Sequence, residues 1–228
     1  MKIVFFGDSL TQGTYGVNYV EKVARAFPQH ECLNAGVNGD TSLNLYRRVQ
    51  DDVINKKPDG VFVMVGINDA VSYTEAGIRP YYRLAKGVRG GQVAPIAFRE
   101  NMRAVLGKLA QSQLRIWVAL PPIEYRAEVI AALRTINGMT RELCEEMNVP
   151  VLDVMEALVP AAIPVRPPMG LMSYRRNLMA NLVGARVYDK LQAEGQYSYS
   201  FDGIHLTERG ATQIAELIVP FLSQTGLG

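Results

Sequence analysis

The chain has 228 residues, 48% of them hydrophobic and 20% charged, with a formal charge of +2. That is the make-up of a globular protein the size of one generous α/β domain, able to bury roughly 70% of the surface its unfolded chain exposes. A charge so close to zero offers no general attraction to nucleic acid, and no apolar run approaches a membrane span, so neither kind of partner is expected.

In chain order, Lys2–Phe6 reads as a buried strand that stops at Gly7. Val17–Phe27 is helical, with Val20, Val23, Ala24 and Phe27 on one face. Glu31–Asn34 is a short, weaker strand. Ser42–Ile54 is helical, with Leu45, Val49 and Val53 spaced by four and Thr41 or Ser42 as its cap. Gly60–Val65 is a near-continuous run of branched and large apolar residues, as in a parallel sheet covered on both faces. A helix at 97–112, a strand at Arg115–Leu120, a helix at Ala127–Met147, a strand at Pro150–Val154 and a helix at Thr207–Leu222 complete the alternation. Five strands separated by helices predict a parallel sheet with helices on both faces, within a single domain. Two long connections interrupt it, at about 70–95 and 160–200. Both follow strand C-terminal ends, the edge where open α/β sheets bind ligands, and both are candidates for shaping a pocket. A helical stretch is expected around Tyr174–Leu191.

Cys32 and Cys144 form no C-x-x-C pair and read as free thiols of a reducing compartment. Met1-Lys2 leads into Ile3–Phe6, an apolar run too short for a secretory signal core. A cytoplasmic location is expected.

Four short segments carry candidate chemistry. In Gly7-Asp8-Ser9-Leu10 the first strand delivers a serine to the sheet edge, where its hydroxyl meets substrate and nearby backbone N–H groups can face an anion; Asp8 and Ser9 as plain turn caps is the simpler alternative. A serine nucleophile needs a base, and the chain has two histidines. His30 lies in a polar connection and reads as a surface residue. His205 lies three residues after Asp202, a spacing that lets the carboxylate take the imidazole Nδ1–H and aim Nε2 at a serine; taken alone, the pair also fits a turn former and a cap. In Gly66-Ile67-Asn68-Asp69 a side-chain amide follows the strongest strand and can donate to a developing oxyanion, unless it only ends the strand. In Asn34–Ser42 (NAGVNGDTS), Gly39 can bring its N–H close to a ligand, or be part of an ordinary turn. Three of the segments follow strands and the fourth opens the last helix, so all four would converge on one edge of one sheet. Asp8 is expected to order the Ser9 loop and Asp69 to pin the turn that aims Asn68.

With these four blocks, in this order, the sequence resembles the SGNH (GDSL-type) hydrolase family over residues 1 to about 220. The resemblance implies a three-layer α/β/α fold of flavodoxin-like topology and a carboxylic-ester hydrolase. It makes Ser9 the nucleophile, His205 and Asp202 the rest of the triad, and the Ser9 N–H, the Gly39 N–H and the Asn68 amide the oxyanion donors. The substrate is then a small-molecule ester, and no metal or organic cofactor is required. A thioesterase or lysophospholipase of the same family is the nearest alternative, and a non-catalytic flavodoxin-like binding module a remote one. Arg79, Arg83, Lys86, Arg89 and Arg99 suggest a basic rim for anionic substrates, or a solvated face. Met169, Leu171, Met172, Leu178, Met179 and Leu182 suggest apolar surface for an acyl chain, or packing within the domain or between copies in a homo-oligomer.

Overall fold

The computed structural model describes residues 1–170 and 185–227. Five strands form one sheet: β1 (Lys2–Gly7), β2 (Glu31–Gly36), β3 (Gly60–Met64), β4 (Arg115–Leu120) and β5 (Val151–Asp153). All pairs are parallel and the order is β2-β1-β3-β4-β5, the flavodoxin-like arrangement. Strand β1 lies inside the sheet, between β2 and β3, and its Ile3, Val4, Phe5 and Phe6 are fully buried, as a strand covered on both faces must be.

The helices are α1 (Ser9–Gln12), α2 (Tyr19–Ala26), α3 (Ser42–Asp52), α4 (Ile67–Thr74), α5 (Arg79–Ala85), α6 (Pro95–Gln111), α7 (Ala127–Glu146), α8 (Val154–Leu158), α9 (Ala185–Gly195) and α10 (Glu208–Gln224). Helix α2 packs with α10, while α3 packs with α6 and α6 with α7, giving a layer on each face of the sheet. Right-handed crossovers from this strand order put them there. Burial follows helical spacing: Val129, Leu133, Ile136, Thr140 and Leu143 of α7 face inward, as do Ala211, Ile214, Ile218 and Leu222 of α10.

The strand register creates the functional edge. Gly7 pairs with Gly36 on one side and with Met64 on the other, and Met64 pairs with Ala119. The C-terminal ends of four strands are therefore level. Ser9 lies two residues beyond one of them, Gly39 three beyond the next and Asn68 four beyond the third. Helix α1 lies directly on this edge: a Cβ at Gly36 would stand 2.1 Å from the Gln12 nitrogen.

Three sequence expectations change. The strand expected at Pro150–Val154 ends at Asp153, because the Asp153 carboxylate accepts the Glu156 N–H at 2.8 Å and starts α8. The long connection after β3 is largely helical, in α4 and α5. Asn68 accordingly sits in the first turn of a helix rather than on a bare strand corner. Of the helix expected around Tyr174–Leu191, the residues before 185 lie outside the described set, as do all of the Met- and Leu-rich group except Met169; α9 begins at Ala185. Cys32 and Cys144 are free thiols, and burial pushes the Cys144 thiol up to about 12. No helix among the described residues is long and apolar enough to cross a membrane.

Candidate active site

Asp8 caps α1, its Oδ1 accepting the Leu10 N–H at 3.0 Å. Ser9 is thereby the first residue of a helical turn, where a backbone N–H has no acceptor within the helix. Burial pushes the Asp8 carboxyl up to about 7, against the pull of the Leu10 N–H and of His205. This matches the ordering role expected of Asp8.

From the other end of the chain, the segment before α10 brings in the imidazole. His205 Nε2 lies 3.0 Å from Ser9 Oγ, and His205 Nδ1 lies 2.8 Å from Asp202 Oδ2. The second Asp202 oxygen accepts the N–H groups of Ile204 at 3.0 Å and His205 at 2.7 Å. Both carboxylate oxygens are occupied, so the ring is held in one orientation, with Nδ1–H toward Asp202. Burial alone would lower the His205 pKa. The charge and hydrogen bond of Asp202, together with the Asp8 charge, outweigh it and raise the pKa above the usual imidazole value. For Asp202, burial acts upward, but His205 and the two backbone donors bring its pKa below the usual value. Tyr15 and Phe201 lie against the imidazole, with ring centroids 5.4 and 6.0 Å away.

Asn68 completes the group. Its Nδ2 donates to the Asp40 carbonyl at 3.1 Å and approaches Asp8 Oδ2 at 3.4 Å. Those acceptors belong to the residues directly adjoining Gly39 and Ser9. Ser9, Gly39 and Asn68 line the same cleft, and neither the Ser9 nor the Gly39 backbone N–H has an acceptor among the described residues. Gly39 has φ +74, the left-handed region, and a Cβ there would lie 2.1 Å from the Tyr81 hydroxyl and 2.8 Å from Lys86 Cε. Gly39→Ala should cost about 1 kcal/mol or more of stability and about tenfold in turnover through displacement of this N–H; thermal melts and steady-state kinetics on the same preparation would check both. Unchanged values would show that the loop yields freely.

The five residues singled out in the sequence thus meet in one cleft, lined by Ser9, Gly39, Asn68, Asp202 and His205. Its other walls include Val71, Ile78, Tyr81 and Tyr82 from the first long connection, and Met169 from the second. His30 lies at the opposite end of the sheet, 3.0 Å from the amino terminus.

Several supporting residues carry little local sequence signal. The Arg48 guanidinium donates to the Gly7 and Ala35 carbonyls and to Asp40 and Asp52, tying the ends of β1 and β2 to the glycine loop. Lys86 reaches the other Asp40 oxygen at 2.9 Å. The buried Glu124 accepts five hydrogen bonds at 2.6–3.1 Å, from the N–H and hydroxyl of Ser198 and Ser200 and the N–H of Tyr199. It anchors the segment leading into Asp202 and His205. A carboxylate four residues beyond a strand, at the ligand edge, was the one available hint.

Asp69 holds the turn that carries Asn68 from outside: its oxygens accept the N–H and hydroxyl of Ser42, joining the starts of α3 and α4, and burial pushes its carboxyl up to about 7. One expectation needs correction. The basic rim is mostly engaged elsewhere. Arg79 donates to the Ser72 and Tyr73 carbonyls, Lys86 pairs with Asp40, and Arg99 pairs with Glu146.

A family model described as the GDSL-like Lipase/Acylhydrolase family matches residues 5–213. A Bacillus subtilis (strain 168) protein named as the uncharacterized lipoprotein YqeF is 26% identical over 183 residues, 66% of this chain and 69% of that protein. An acetylxylan esterase of Geobacillus stearothermophilus is 35% identical over 86 residues, 30% of this chain and 39% of the esterase. The crystal structure of a lipase/acylhydrolase from Enterococcus faecalis superposes with a TM-score of 0.65 at 21% identity, covering 98% of this chain and 95% of its own; at that identity the likeness bears on the fold.

Proposed function

The chain belongs to the GDSL-like lipase/acylhydrolase family and is a carboxylic-ester hydrolase, and we propose that it acts on small acyl esters through Ser9, His205 and Asp202. The observation that carries this reading is the hydrogen-bonded line from Asp202 through His205 to Ser9, at 2.8 and 3.0 Å, inside a cleft.

Ser9 Oγ attacks the ester carbonyl while His205 Nε2 takes its proton. Asp202 keeps the imidazole in the needed tautomer and favours the imidazolium. The oxyanion forms beside the Ser9 N–H, the Gly39 N–H and the Asn68 amide, which are fixed before substrate arrives and need no reorganisation. His205 returns the proton to the departing alcohol. Water then attacks the acyl-serine by the same route in reverse.

The short-acyl preference rests on the walls. Val71, Ile78 and Met169 are buried and, with three tyrosines, face the cleft beside the serine. Buried side chains resist displacement, so each added methylene of an acyl chain meets a packed surface. The two long connections act as pocket walls on this reading, within one hydrolase domain, and the esterase relative that acts on acetylated xylan by name supports acetyl esters as substrates. A small-molecule ester is the one partner proposed; association between copies through 160–200 involves a segment of which residues 171–184 lie outside the described residues. The unpaired cysteines support a reducing, cytoplasmic location, which cell fractionation would test; a lipoprotein-like relative makes the cell envelope the competing outcome.

A p-nitrophenyl series from acetate to decanoate tests the acyl range. The expected result is a kcat/KM highest at acetate or butyrate and about 100-fold lower at decanoate, the loss of a chain that the pocket cannot admit. A maximum at decanoate, or on acyl-coenzyme A, would overturn the short-ester reading while leaving the nucleophile untouched. A fluorophosphonate adduct mapped by mass spectrometry to any residue but Ser9 would overturn the nucleophile.

A further inference from the structure

We infer that Tyr82 is a positioning residue for ester cleavage: its hydroxyl fixes the rotamer of the Asn68 amide so that an N–H, and not the carbonyl oxygen, faces the reacting carbonyl. The inference rests on the reading of Asn68 as an oxyanion donor.

An asparagine amide is nearly symmetric in shape but opposite in polarity at its two ends, and rotation by half a turn about χ2 exchanges them. A donor role for Asn68 therefore needs something that holds the amide one way round. On its nitrogen side stand the Asp40 backbone carbonyl at 3.1 Å, which can only accept, and an oxygen of the Asp8 carboxyl at 3.4 Å. On its oxygen side stands the Tyr82 hydroxyl, donating to Asn68 Oδ1 at 2.8 Å. The flipped amide would set Oδ1 against the Asp40 carbonyl. The acceptors and the one donor specify the same orientation.

The distances also divide the two amide hydrogens. The bond to the Asp40 carbonyl is of ordinary length, whereas 3.4 Å to Asp8 is long for an N–H donor and cheap to give up. One hydrogen is anchored and the other is available to a developing oxyanion. The Tyr82 hydrogen bond to Oδ1 further polarises the amide and makes the available N–H a better donor. Tyr82 is 3% exposed and comes from α5, so it is packed in place rather than swinging in solvent. It also faces the cleft, which makes substrate contact the competing explanation for any effect of its loss.

A double-mutant cycle separates the possibilities. Tyr82→Phe removes only the hydroxyl, and circular dichroism and melting would confirm an unchanged fold. With p-nitrophenyl acetate, Asn68→Ala should lower kcat by about 10²–10³-fold. Tyr82→Phe should lower kcat by about tenfold with KM little changed, the pattern of an interaction made in the transition state. The decisive result is the double variant, expected to turn over at the rate of Asn68→Ala alone, because there is no amide left to orient. If the two losses multiply, Tyr82 acts independently of Asn68 and the inference is wrong. Wild-type kcat in Tyr82→Phe would overturn it as well. Wild-type kcat in Asn68→Ala would instead remove the oxyanion reading on which it depends.

Discussion

Ser9→Ala should lower ester turnover by about 10⁴–10⁶-fold while the protein folds and melts as before. The size follows from the site: Ser9 supplies the oxygen that attacks the ester in the proposed reaction, and no other hydroxyl is hydrogen-bonded to His205 among the described residues. The intact fold follows from how the serine is held. Its backbone, not its side chain, is fixed by the Asp8 cap and by the Gly13 N–H that donates to its carbonyl at 2.9 Å. Alanine keeps all of this and is a better helix residue than serine. Residual activity should sit above the uncatalysed rate, since the three donors remain. Active-site titration with a fluorophosphonate, run beside the kinetics, excludes wild-type contamination. Turnover within tenfold of wild type would remove Ser9 as the nucleophile.

Asp202→Asn should cost about 10⁴-fold in kcat at neutral pH. An asparagine keeps the size and one acceptor oxygen, which the Ile204 and His205 N–H groups can still use. The other position becomes an NH₂ facing His205 Nδ1, so the ring must accept there and turns a protonated Nε2 toward Ser9. That tautomer cannot take the serine proton. The same substitution should displace the pH profile. In the wild type Asp202 raises the His205 pKa by charge and hydrogen bond. The reaction needs neutral imidazole, so activity rises as pH climbs through that raised value and the acid limb of kcat/KM lies above the usual imidazole value. Without the carboxylate its charge and hydrogen bond no longer raise the pKa, only the Asp8 charge remains against burial, and the limb of the residual activity should move to lower pH. An acid limb that stays where it was would assign it to a group other than His205.

The strands were legible because a parallel sheet covered on both faces writes itself as apolar runs, and Ile3–Phe6 and Val61–Val65 are such runs. The α/β class followed, since strands and helices alternated, while the flavodoxin-like topology came with the family resemblance. Ser9, Asp202 and His205 were legible for a different reason: each stands in a short block whose residue types suit one chemistry, and the chain has only one other histidine. Helices α4, α5 and α8 were not, because five to eight residues hold too few turns to show a period. Tyr82 and Glu124 were hidden more deeply. They act through hydrogen bonds to residues 14 and 74–76 positions away, and no local pattern records a partner at that distance. The basic rim was only partly legible for the same reason, since composition shows the charges and not the carbonyls and carboxylates that engage Arg79, Lys86 and Arg99.

The proposed nucleophile and its proposed base are 196 positions apart, and α10, the helix that follows His205, docks on α2, with Lys22 paired to Glu208 across the join. On a ribosome adding 5–20 residues per second, the serine emerges about 10–40 s before the imidazole. During that interval the hydroxyl is an ordinary alcohol, however well the first strands have paired. The order of synthesis thus works as a safety catch: an unfinished chain carries its reactive group and its amide donors but has nothing to fire them, and catalysis begins only when the last helix closes against one of the first.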